Sequence, residues 1–113
     1  MIGRAGAGPP QRPANALRGE ASLHVAGAER MLRPTFAALV AAEEELGSLF
    51  ALVERAGEGH LRLGELATLF WHCLAEREGV SREDVGEAVL ALGLAGSAKP
   101  LRTILAQILQ GRG

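Results

Sequence analysis

The chain has a single cysteine, a single lysine and a single tryptophan in 113 residues, and no tyrosine. One thiol, Cys73, excludes an internal disulfide and fits a reducing compartment. No apolar run reaches the roughly 18 residues of a membrane span, so no membrane partner is expected. Arg4 is not followed by a continuous apolar stretch, so no signal peptide is expected either. The phosphate-loop, zinc-protease and nucleophile-elbow signatures are all missing. An enzyme is therefore not expected, nor is a cofactor.

What is present is nearly neutral, at a net charge of −1, and 48% apolar. The neutrality hides a split. Residues 1–19 carry Arg4, Arg12 and Arg18 and no acid, whereas the remainder carries nine basic and thirteen acidic side chains. An acidic body has no electrostatic reason to hold a phosphate backbone, so nucleic acid is not an expected partner. The length allows one domain with one modest core.

Residues 1–19 hold four glycines and three prolines and almost no large apolar side chains. Such a stretch cannot repay the entropy of folding and is expected to be a flexible tail. Residues 20–113 are expected to form a single α+β domain that is mainly helical, with a hairpin at about 20–33 and four to five helices over about 35–111. Ala21, Leu23 and Val25 alternate with polar neighbours, and Gly27 permits a tight turn back through Leu32. Pro34 ends that unit and Thr35 can cap the next helix. Phe36, Leu39, Val40, Glu43 and Leu46 step along that helix at helical spacing, up to Gly47. Ser48 can cap a second helix with Leu49, Leu52, Val53 and Ala56 inward. A third is expected from about Gly64 to Glu78, burying Leu66, Leu69, Phe70, Cys73 and Leu74. Ser81 with Asp84 resembles a capping box for a fourth, whose stripe is Val85, Ala88, Val89 and Leu92. Ser97 to Pro100 open a fifth, with proline in its first turn.

The candidate chemical groups are few. His24, His60, His72 and Cys73 include one close pair, His72–Cys73, and neighbours on a helix diverge by about 100°, so they do not chelate one ion. No metal site is expected. Cys73 in an apolar helix reads as a packed, inert thiol. Glu43, Glu44 and Glu45 fan around their helix and read as a solvated face, with Glu43 at the core edge. Ala75, Gly79 and Val85 have the spacing of a helix-turn-helix. Against that, the would-be recognition helix at 82–92 carries Arg82 against Glu83, Asp84 and Glu87, a charge that opposes DNA.

The segment from Gly19 to Leu74 carries a resemblance. Gly19-Glu20 and a short strand lead to a turn at Gly27 and to Leu32-Arg33. Then come Thr35-Phe36-Ala37-Ala38-Leu39, the acids Glu43 to Glu45, and Leu46-Gly47. A Leu/Ala-rich short helix and a glycine break precede Leu63-Gly64-Glu65-Leu66-Ala67-Thr68-Leu69. This pattern resembles the small tail protein of gene transfer agents and long-tailed phages, described as a tail assembly chaperone and sometimes as a tail tube protein. The Val80-Ser81 helix and the stretch Gly96 to Gly111 extend the likeness to about residues 19–111. Pro34, at the join of hairpin and helix, departs from the pattern.

The resemblance implies a non-enzymatic tail morphogenesis protein, from a gene transfer agent, phage or prophage, acting in the bacterial cytoplasm. Its implied partner is the tape measure protein, and the major tail tube protein is a further implied partner. A structural tail tube subunit, associated with the virion, and a small DNA-binding protein are the alternatives, and a homo-oligomer stays open. For the partner surface, Leu101, Ile104, Leu105, Ile108 and Leu109 form a stripe that could receive another helix, and Trp71 is a candidate anchor. Ordinary core packing is the competing reading of all six.

Overall fold

A computed structural model describes residues 20–110. The flexible tail expected at 1–19 lies outside the described residues. β1 (Ala21–Val25) and β2 (Ala28–Leu32) form an antiparallel hairpin, followed by α1 (Phe36–Leu46), α2 (Leu49–Gly57), α3 (Leu63–Cys73), α4 (Arg82–Leu92) and α5 (Leu94–Gln110). This is the α+β arrangement expected, with five helices.

The hairpin pairs Ala21 with Leu32 and Val25 with Ala28, so Ala26 and Gly27 alone make the turn. Both have positive φ, 52° and 81°. That is the pattern of a type I′ turn, whose twist matches the strands it joins. Ala21, Leu23 and Val25 all face the core, as their alternation predicts.

The hairpin does not stop at two strands. Leu32 bridges Leu74 in antiparallel fashion. Arg33 N–H donates to the Cys73 carbonyl at 2.6 Å, and Ala75 N–H donates to the Met31 carbonyl at 2.9 Å. Residues 73–75 thus cover the end of β2. This pairing ends α3 at Cys73 rather than near Glu78, because a backbone committed to a strand partner cannot also continue the helix. It also removes the helix-turn-helix. Ala75 lies outside any helix, and α3 and α4 are separated by residues 74–81, where that motif needs a turn of about 3–4 residues.

The helix starts follow their caps. Thr35 Oγ1 accepts from Ala38 N–H at 3.1 Å and Ser48 Oγ accepts from Ala51 N–H at 3.2 Å. Ser81 and Asp84 form the reciprocal box, each side chain accepting from the other's backbone N–H at 3.0 Å. α5 begins earlier than expected, directly after Gly93, so Pro100 lies inside it instead of in its first turn. The axis turns by 117° between α4 and α5. Gly96 permits this elbow: a Cβ there would stand 2.9 Å from Leu92 Cγ.

The core gathers Leu23, Val25 and Leu32 from the hairpin, Leu66, Leu69 and Phe70 from α3, Val85 and Val89 from α4, and Ile104 from α5. α1 contributes differently from its expected stripe. It buries Ala38 and Ala42, while Phe36 is 84% exposed and Val40 is also exposed. α1 packs on α3, and alanines let the two backbones come close where Phe and Val could not. Leu92 likewise lies in solvent rather than in the core. Among the described residues no single helix is long and apolar enough to cross a membrane.

Candidate functional site

Three side chains from three helices meet where α1 ends, α3 ends and α4 begins. Glu45 in the last turn of α1 accepts from both terminal nitrogens of Arg82, the first residue of α4, at 2.5 Å each. One of its oxygens also contacts His72 Nε2 at 2.6 Å. Hydrogen bonds from Arg82, then from His72, hold the Glu45 carboxyl at about 2, against an ordinary 4.5. The hydrogen bond to Glu45 raises the pKa of the Arg82 guanidinium. An ionised carboxylate only accepts, so Nε2 carries the proton of the His72 pair. His72 is buried, with 7% of the residue's surface exposed, and its Nδ1 has no hydrogen-bond partner among the described residues.

Trp71 sits beside this cluster. Its ring meets the His72 ring edge-on at 5.1 Å. The Arg82 guanidinium carbon lies over the indole at 4.6 Å from its centre and that of Arg77 at 4.8 Å, both within cation–π range. Trp71 Nε1 is buried without an acceptor. Arg77 is further held by donating to the His72 carbonyl at 3.3 Å.

Trp71, His72 and Arg77 border an open groove of about 410 Å³. One wall is the small-residue face of α1, Ala37, Ala38 and Ala41, and the other is the end of α3 and the residues that follow it, Trp71, His72, Leu74 and Ala75. Arg33 and Arg77 line it as well. Arg33 Nε is bound to the buried Glu20 carboxylate at 2.9 Å.

The sequence-derived partner stripe is divided by the structure. Ile104 is fully buried, and Leu101, Leu105 and Ile108 are partly covered by the core. Ile104 is therefore corrected from a surface contact to a core residue: α5 lies against α4 and β1, and that packing consumes the stripe's centre. Leu109 remains 59% exposed. Trp71 is half-buried at the groove, and Phe70 is fully inside. The sequence reading missed the pairing of Glu45 with His72 and Arg82, as well as the outward Phe36 and Phe50.

Cys73 is packed in the core. Its thiol is buried, and loss of solvation pushes its pKa up to about 12, so the nucleophilic thiolate is suppressed. Among the described residues no group of three or more His, Cys, Asp or Glu is placed to hold a metal ion.

Residues 18–111 match the model of a family described as phage tail tube protein, GTA-gp10. No curated protein and no solved structure matches the chain.

Proposed function

The chain belongs to the phage tail tube protein family GTA-gp10, and we propose that it acts without catalysis, as a tail assembly chaperone that binds the tape measure protein until tail tube subunits polymerise around it. The observation that carries the binding role is on α1 and α2. Phe36 and Val40, one helical turn apart on the same face of α1, both lie in solvent, and Phe50 at the start of α2 is 75% exposed. A single small domain gains nothing by leaving two phenylalanines in water, and such a surface suits contact with another protein. Leu109 adds an exposed apolar side chain at the end of α5, where the partly covered Leu101, Leu105 and Ile108 precede it. With Trp71, these are the contacts we assign to partner helices.

The family's description favours a second reading, a subunit retained in the tail tube. Exposed apolar faces serve either role, because a tube subunit also buries surface against neighbours. Quantitative mass spectrometry of purified particles separates them. A chaperone is present in the producing cell and absent from particles. A tube subunit is recovered from particles at a constant, high ratio to the other tail proteins. The first acts in the bacterial cytoplasm and the second travels with the virion.

A further inference from the structure

We propose that the groove between α1 and the end of α3 is a docking site for an acidic peptide segment of a partner protein, with a carboxylate held by Arg33 and Arg77. The proposal rests on the chain acting by binding protein, but not on which tail protein it binds. The described residues carry eight basic and thirteen acidic side chains, yet the groove is lined by two arginines and no acid. Glu20 balances the charge of Arg33, so the uncompensated charge at the groove is that of Arg77, which suits one localised anion.

Arg77 forms no ion pair among the described residues. It is nevertheless fixed in place by the His72 carbonyl and the Trp71 ring, so little freedom remains to be lost on binding. Arg33 spends its Nε on Glu20 and one terminal nitrogen on the Met31 sulfur, leaving donors for a ligand. The alanine wall of α1, Ala37, Ala38 and Ala41, lets a peptide main chain approach closely. A nucleic acid fits less well. Its charges continue past the two arginines, onto an acidic surface that repels them.

Trp71 is the only tryptophan, and the chain has no tyrosine, so its fluorescence reports on the groove without labels. The purified full chain is titrated with a blocked peptide of repeating Ala-Glu-Ala-Ala-Glu, its glutamine counterpart, and a thymidine oligonucleotide of matching length. A saturable change with the glutamate peptide is expected, with little change from the other two. Arg77→Gln weakens it about tenfold, the effect of losing one charge-assisted bond. Ala37→Leu, which fills the groove and leaves every charge in place, weakens it comparably, and serves alone if Arg77→Gln does not fold. Equal response to both peptides, unchanged binding by Ala37→Leu, or saturable binding of the oligonucleotide alone overturns the proposal. Because the probe is synthetic, that failure leaves the proposed tail role standing.

Discussion

Glu45 grips Arg82 with both carboxylate oxygens across 37 residues of sequence, tying the end of α1 to the start of α4. The pair is half open to solvent, so salt screens it. Its pH dependence is distinctive. The folded carboxyl titrates at about 2 and its ordinary value is 4.5. A depressed carboxyl stabilises the fold above the unfolded value, and that contribution disappears as pH falls from about 4.5 towards 2. Urea unfolding midpoints measured through this window should therefore drop less steeply for Glu45→Gln than for the native chain.

The burial pattern of α1 makes opposite predictions for two apolar residues. Ala42 is fully buried against its neighbours, so Ala42→Leu should overpack the core and cost about 1–3 kcal/mol. Phe36→Ser removes a larger side chain and should change stability by no more than about 0.5 kcal/mol, because Phe36 lies in water. Chemical denaturation of the two variants checks both values.

Ala26 holds a left-handed backbone at φ 52° in the hairpin turn. Asparagine tolerates that conformation better than alanine does. Ala26→Asn is expected to stabilise the chain by up to about 1 kcal/mol, read as a raised unfolding midpoint.

These residues also show how far the sequence could be read. The box of Ser81 with Asp84, the alternation of β1 and the stripe of Leu66, Leu69, Phe70 and Cys73 were legible because each is local: capping and periodicity act within a few residues. α1 was misread for a physical reason. Phe36 and Val40 step helically, but so do Ala38 and Ala42, and a helix apolar around much of its circumference leaves periodicity no way to choose a face. The choice fell to close packing on α3. Leu74 was placed correctly inside, but its bridge to Leu32, which shortens α3, depends on a distant strand edge. The groove was not legible at all. The Glu45–His72 and Glu45–Arg82 contacts beside it span 27 and 37 residues, and no local pattern encodes them. Of the expected partner residues, Leu109 stayed on the surface, Trp71 went to the groove and Ile104 went to the core.

Cys73 provides a probe of opening. Burial and a pKa pushed up to about 12 predict that iodoacetamide labels the native chain at pH 8 only as fast as the fold opens, and labels it readily in denaturant. Prompt labelling of the native chain, followed by intact-mass spectrometry, would show the thiol to be reachable.

The most direct measurement is recovery of the tagged chain from particle-producing cells, with mass spectrometry of whatever accompanies it. The proposed role predicts the tape measure protein in the recovered complex, reduced when Phe36 and Phe50 are replaced by serine while the folded spectrum is unchanged. Recovery of nucleic acid with no tail protein would contradict it.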